Sequence, residues 1–318
     1  MRIQDIAALA GVSTATVSRV FSNHPNIRRD VRDHVLAVAK EHGYHPRLSV
    51  RRRNVVVITP SRVLVPAENY SGMVLTELAR ELAERDFRIE ILPADNIDRL
   101  DSIQFCGVVT VGIDETFAKG WDNRFAAPLV VVDREVPSFR NVYAVHSDEG
   151  QGMALALAHL LGTGHRRIGC LIYHWPGHSN SLLRQEAIKA TLQEHGLPCE
   201  DALIRLVGPN DYIEEVGKLL RAGVDALFCP GGNGGIVTAY ALSLYGKSIG
   251  TDVSLLSSER MMVSRYCVPA QTTITQDYPA LAAAVVDVIH TRMEGRPSPQ
   301  NILFPYKLIE RDSVRRRE

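Results

Sequence analysis

From Asn54 onward the chain repeats one pattern, in which a short unbroken apolar run is followed by a segment of helical length and periodicity. The runs are "NVVVIT", "FRIEIL", "CGVVTV", "PLVVVD", "RRIGCLIY", "ALIRLV", "DALFCP" and "DVSLLSS". The helical segments include "YSGMVLTELARELAERD", "EGQGMALALAHLLGTG", "SLLRQEAIKATLQEHG", "YIEEVGKLLRAG" and "NGGIVTAYALSLYG". Runs that are β-branched and apolar at nearly every position, rather than every second one, fit strands covered on both faces, as parallel strands are. Strand and helix in alternation give right-handed βαβ units and doubly wound parallel sheets. The body holds roughly 265 residues, enough for two such lobes.

The first 54 residues follow a different rule. They carry ten Lys and Arg against four Asp and Glu, a balance of +6, while the whole chain of 318 residues is neutral. A small basic head on an acidic body is suited to a polyanion. The head reads as three short helices. Ile6, Leu9 and Ala10 form one apolar stripe, Val17, Val20 and Phe21 a second, and Val31, Val35, Val38 and Ala39 a third. Gly11 marks the turn between the first two, Gly43 closes the third, and Pro46 stops any continuation.

A helix, a tight turn and a second helix capped by Ser13 make a helix-turn-helix, whose second helix enters the DNA major groove. Thr14, Ala15, Thr16 and Ser18 are short enough for close approach, with hydroxyls for phosphates or base edges and methyls for thymine. Arg19 is the one long donor there, suited to a bidentate contact with guanine.

The stretch "IQDIAALAGVSTATVSRVFSNHPNIRRDVRDHVLAVAKEHGYHP" closely resembles the DNA-binding head of the LacI/GalR (lactose-repressor) family of bacterial transcription regulators. "VVVDRE", "HSDEGQGMALALAHLLGTGHRRIGCL" and "DVSLLSSERMMVSRYCVPAQTTITQDY" extend the resemblance through the body. The fold class it implies is α/β: a three-helix head followed by a two-lobed, periplasmic-binding-protein-like body joined by three crossovers. The expected division is a head over 1–46, a basic linker over 47–54, a first lobe over 55–145 and 275–302, and a second lobe over 146–274 and 303–318. The resemblance further implies a sequence-specific regulator, read as a repressor, gated by a small carbohydrate-related ligand held between the lobes. It would act as a cytoplasmic homodimer on a pseudo-palindromic operator. The C-terminal "IERDSVRRRE" has no heptad pattern, so a coiled-coil tetramer is not expected.

The resemblance carries ligand-binding roles onto particular residues. Asp133 ends "PLVVVD" and fits the family's cleft aspartate. Arg184 falls where the family has an arginine that grips hydroxyls or carboxylates. Glu259 stands where "GFDD" supplies an aspartate, Gln276 and Tyr278 match cleft-lining positions, and Ser61 and Tyr212 are placed with them. Carboxylates and a fork-shaped guanidinium suit polyols because each directs several hydrogen bonds.

Five departures from the family pattern stand out. Arg28 replaces the usual hydroxyl cap of the third head helix. The linker "RLSVRRRN" lacks a clear hinge helix; Leu48 or Val50 would be the minor-groove wedge, and Arg51, Arg52 and Arg53 would contact phosphates or the minor groove. The segment "LPADNIDRLDSIQFCGVV" is too short for the family's second helix of the first lobe. In the body, "PGGNGG" replaces the family's "ND" and "SSER" replaces "GFDD". Either Asn233 takes the lost role, or the glycines make room for a larger ligand.

Signals for other classes are weak. "PGGNGG" lacks the Lys-Ser/Thr of a phosphate loop and the dinucleotide spacing. Neither an H-E-x-x-H pattern nor a G-x-S-x-G elbow occurs, so no catalytic residue, metal or cofactor is expected. Five scattered cysteines fit a reducing compartment. Neither a membrane span nor a signal peptide is read. Two readings compete with the ligand-gated regulator: a degenerate cleft that senses a partner protein, and a carbohydrate-processing enzyme with an appended head.

The head generates the first test. Arg19→Ala should cost about 1–3 kcal/mol in operator binding and relax preference at one base pair per half-site. Binding-site selection with the variant reads this out; unchanged preference at every position would remove Arg19 from base reading.

Overall fold

The computed structural model describes residues 1–44, 53–59, 70–113, 115–174, 180–197, 199–208, 210–260 and 262–317. The chain forms two compact units, the first from residues 1–67, 71–146 and 278–303, the second from 68–70, 147–277 and 304–318.

The head contributes α1 (Ile3–Leu9), α2 (Thr14–Phe21) and α3 (Arg29–Glu41). Their core is Ile6, Ala7, Ala10, Val17, Val20, Phe21, Val35, Leu36 and Ala39. The stripes read from the sequence close on one another except at Leu9, which is 50% exposed. Gly11 and Gly43 take φ of +64° and +61°, a region that costs a side chain strain and a glycine nothing. Arg28 makes no capping bond to α3 and instead pairs with Asp30, an exposed contact of little energetic weight.

The rest of the first unit holds β1 (Asn54–Thr59), α4 (Tyr70–Glu84), β2 (Arg88–Pro93), β3 (Gly107–Val111), α5 (Trp121–Arg124), β4 (Leu129–Val132), β5 (Val142–Ser147), α11 (Tyr278–Met293) and β11 (Asn301–Phe304). Its sheet runs β11-β5-β4-β3-β1-β2. The pairs among β1 to β5 are parallel, and Val108, Val109, Leu129 and Val130 have no exposure, as two covered faces require. In place of the missing helix, Ala94–Ser102 is 3₁₀ backbone kinked at Asn96.

The head is fastened to this lobe. Asn23, itself in the left-handed region, donates from Nδ2 to the carbonyls of Leu100 and Ile103, both at 2.8 Å, and is 5% exposed. Lys40 reaches Asp122 at 3.0 Å and Asn123 at 2.7 Å. Arg32, buried, lies 3.6 Å from Asp101.

The second unit contains α6 (Glu149–Gly162), β6 (Ile168–Tyr173), α7 (Ser181–Glu194), β7 (Ile204–Val207), α8 (Tyr212–Arg221), β8 (Ala226–Cys229), α9 (Gly234–Leu244), β9 (Ser254–Ser258), α10 (Met262–Tyr266), β10 (Thr272–Thr275) and β12 (Lys307–Ile309). The sheet order is β12-β10-β9-β8-β6-β7, parallel except for the β10–β12 pair. The α/β architecture is the expected one. The strands β5, β10, β11 and β12 and the helix α11 lie outside the segments read from sequence. The strands are only three to six residues long, and "VYAVHS" and "TTIT" are too polar to announce themselves. Among the described residues no helix is long and apolar enough to cross a membrane.

"GHRRI", a recognisable motif of the sequence, is a structural clamp at the start of β6. His165, with no exposure, places Nδ1 3.4 Å from Asp225, just ahead of β8, and pairs Nε2 with the Arg315 carbonyl at 3.1 Å. The amides of Arg166 and Arg167 donate to the same Asp225 carboxylate at 2.9 and 3.1 Å. Partial burial would raise that carboxyl, but His165 and the two amides outweigh it and hold the pKa at about 2. The folded protein therefore favours ionised Asp225, and this stabilisation is complete above its ordinary 3.8 and lost as pH falls toward about 2. Asp225→Asn should cost about 1–3 kcal/mol at neutral pH and shallow the acid-side loss of stability. Urea denaturation across that range measures it; an unchanged acid limb would rule out the clamp.

Candidate functional site

Ser13 caps α2 as the sequence requires, its Oγ accepting from the Thr16 amide at 3.0 Å and lying 2.9 Å from Thr16 Oγ1. Val17 and Val20 turn into the head core. Thr14, Ala15, Ser18 and Arg19 face outward, with Thr16 half-buried beside them. One helix thus presents a short-residue surface with a single long cation.

Of the linker residues, Leu48, Arg51 and Arg52 lie outside the described residues, as does Ser61. Arg53 is committed to the first lobe: Nη1 donates to the Arg85 carbonyl at 2.7 Å and the guanidinium stands 5.3 Å over the Phe87 ring. Held by the turn between α4 and β2, this guanidinium would have to leave the Arg85 carbonyl to make the phosphate contact expected of it.

The second unit gathers polar groups where β6, β7, β8 and β9 end, the edge at which open α/β sheets bind ligands. Arg184, in the first turn of α7, grips Glu149 at the start of α6 with both arms, Nε to Oε2 at 2.7 Å and Nη2 to Oε1 at 2.8 Å. Tyr306 donates to the same carboxylate at 3.0 Å, Asn180 reaches it at 3.3 Å, and Gln276 Nε2 donates to the Tyr306 hydroxyl at 2.7 Å. Burial would push the Glu149 carboxyl up, but the Arg184 guanidinium and the Asn180 and Tyr306 hydrogen bonds hold it below its ordinary range.

After β8 the chain turns through Pro230–Gly235 into α9. Gly231 and Gly232 have φ of +83° and +50°. A Cβ on Gly231 would collide with the Arg184 guanidinium, and one on Gly234 would lie 2.7 Å from the Tyr212 hydroxyl. Bare backbone is what lets these two side chains close on the turn. Arg260, buried, donates to the Gly232 carbonyl and, at 2.8 Å, to that of Glu259. Tyr212 is 2% exposed and its hydroxyl finds no hydrogen-bond partner among the described residues. Burial pushes that hydroxyl's pKa well above its usual 10.

Arg184, Gln276 and Tyr212 therefore come together within one unit. Glu259 does not face them: its Oε2 accepts from Arg311 at 2.9 Å and from Thr273. That pairing engages one oxygen of the carboxylate expected to hold ligand, while its Oε1 has no hydrogen-bond partner among the described residues. Asp133, with φ 86° at the end of β4, and Tyr278, which opens α11, belong to the first unit. Asn233, offered as a replacement for the lost "ND", is exposed. Sequence reasoning missed Glu149 as the partner of Arg184, Asn180 and Tyr306 as further partners of Glu149, and Arg260 as a group on the glycine turn. An acid following a helix cap was the only signal for Glu149. Among the described residues no three His, Cys, Asp or Glu gather as a metal site.

A basic helix-turn-helix head joined to two parallel-sheet units with polar groups at their strand ends defines a DNA-binding regulator of periplasmic-binding-protein-like construction. The head matches the model of bacterial regulatory proteins of the lacI family over residues 2–47, and residues 157–314 match the periplasmic binding protein-like domain. The chain is 25% identical to the HTH-type transcriptional regulator AscG of Escherichia coli, covering 98% of this chain and 97% of that one. It is 26% identical to the HTH-type transcriptional regulator TreR of the same organism, over 97% and 98%. Among solved structures, a transcriptional regulator CelR–cellobiose complex superposes with a TM-score of 0.72 at 23% identity, over 98% and 99%. The lac repressor dimer bound to operator gives 0.70 at 18% identity, over 99% of both chains. The chain belongs to the LacI family of transcriptional regulators.

The Arg184–Glu149 pair makes a second test. Arg184→Ala strands a buried carboxylate and should cost about 3–5 kcal/mol in urea denaturation, while adding Glu149→Ala should recover part of it. Additive losses would show that the two side chains do not depend on each other.

Proposed function

We propose that this regulator is a ligand-gated repressor that binds a pseudo-palindromic operator as a homodimer. The observation that carries the reading is the joining of an outward-facing α2, bearing Arg19 on a short-residue surface, to a second unit whose arginines and buried tyrosine converge at strand ends. Ser13, Thr14, Ala15, Thr16, Ser18 and Arg19 read the DNA, with Leu48, Arg51 and Arg52 serving the linker contacts. The effector is carbohydrate-related, a reading supported by the cellobiose complex among the structural neighbours.

The homodimer is supported by large apolar side chains left exposed near α9 and α10. Tyr240 is 58% exposed, Leu244 56%, Tyr266 66% and Val268 95%, which suits burial against a second copy. The relatives are transcriptional regulators rather than enzymes. We place the protein outside the enzymes and in the cytoplasm, where operator DNA lies.

Ligand gating requires a ligand that distinguishes two conformations. Operator titration of the full chain, with and without each compound that raises its melting temperature, should show two chains per operator and an affinity shifted by a stabilising compound. Stabilising compounds that leave operator affinity unchanged would overturn the gated reading in favour of a regulator that answers to a partner protein.

A further inference from the structure

We propose that Asn23 is a positioning residue for operator recognition: it docks the head on its own lobe, and the lobe thereby sets which spacing between half-sites the regulator accepts. The proposal deepens the homodimeric reading above and rests on it.

Among the described residues, polar contacts join head and lobe at three places. Asn23, in the turn after α2, donates from Nδ2 to the carbonyls of Leu100 and Ile103 at 2.8 Å each. Arg32 of α3, 7% exposed, places Nη1 3.6 Å from Asp101, a carboxylate that Arg124 of the lobe also holds at 3.0 Å. Lys40, near the end of α3, takes Asp122 and Asn123, and Arg140 reaches back to the Lys40 carbonyl at 3.4 Å. Ala126 of the lobe packs against the head core. Lys40 follows Arg32 by eight residues along α3, about 12 Å at 1.5 Å per residue. Asn23 lies outside that helix, so the three places together constrain the head's rotation as well as its distance.

Asn23 carries the most weight among them. The Lys40 pair is exposed and screened by salt, and the Arg32 separation is long for an ion pair. The Asn23 amide donates to the carbonyls of two buried residues, where losing the donor costs more than losing an exposed pair. Those hydrogens go to the lobe, so they serve docking rather than the head's own fold. Docking also leaves the reading surface clear: Thr14, Ala15, Ser18 and Arg19 are exposed with all three contacts made. The linker sequence carries no clear hinge-helix pattern, which leaves the docking contact to fix the head.

In a two-fold dimer the distance between the two α2 helices is then set by the lobes. One base pair added between half-sites moves one of them by about 3.4 Å and turns it by about 35° around the DNA axis. A docked head cannot follow that step, whereas a head released onto its linker can.

The test titrates the full chain with duplexes that carry two identical half-sites, found by binding-site selection, and a spacer varied one base pair at a time. A duplex with a single half-site is the control, and the number of chains per duplex is measured. The wild type should prefer one spacer and lose about 10-fold or more in affinity when a base pair is added or removed. Asn23→Gly deletes the amide and puts a glycine, at no steric cost, at the φ of 49° that Asn23 adopts. Its spacer losses should shrink to within about 3-fold, with base preference and single-half-site affinity at the wild-type level. Asn23→Asp also tolerates the left-handed region, but sets a carboxylate against two carbonyls, and should do the same. A wild-type spacer preference in either variant overturns the assignment. So does a changed base preference or lost binding to the single half-site, which would place Asn23 in base reading or in the head's own fold. A wild type that binds as two chains per operator without a spacer preference overturns the assignment and leaves the homodimeric reading intact. One chain per operator overturns both.

Discussion

Glu149 is a carboxylate with almost no contact with water, and the polar architecture of the second unit is arranged around it. A buried charge that lacks partners is costly enough to unfold a domain, so its neighbours are fixed by necessity. Arg184 comes from α7, Asn180 from the cap of that helix, and Tyr306 from the segment between β11 and β12, and all converge on two oxygens. Gln276 is drawn in through Tyr306. With Arg184 held, its guanidinium lies against Gly231, and the glycine turn can only be bare. One acid thereby sets the rotamers of groups from several chain segments and leaves them organised before any ligand arrives, which lowers the entropy cost of binding.

The head is tied to its lobe by different means. Asn23 satisfies two carbonyls of the 3₁₀ segment, and because both acceptors are buried the contact weighs more than the exposed Lys40–Asp122 pair. The carbonyls it takes, those of Leu100 and Ile103, lie at and just beyond the end of the segment where the family's usual helix is missing. The head supplies the donor to both.

Local interactions were legible because they follow from spacing alone. The three head stripes, the Ser13 cap, the positive-φ glycines 11 and 43 and the covered strands β1, β3 and β4 are each decided within a few residues, by periodicity, hydroxyl chemistry or steric freedom. The short strands β10 to β12 were not, since a run of three or four residues gains its apolar environment from neighbours far away in sequence. The same applies to "GHRRI", whose motif was visible and whose purpose was not: His165 needs Asp225 and Arg315 to give it meaning.

By itself the sequence determined the fold class, the head and the family, because these depend on residue pattern in continuous stretches. Tertiary structure alone decided which charges meet. Arg53 reads as one of three equivalent linker arginines until Arg85 and Phe87 claim it. Glu259 and Arg260 are neighbours in sequence, yet Glu259 turns to Arg311 while Arg260 turns to the glycine loop. Coulomb attraction in a poorly solvated interior falls to whichever opposite charge the fold brings within hydrogen-bonding distance, and no sequence spacing encodes that distance.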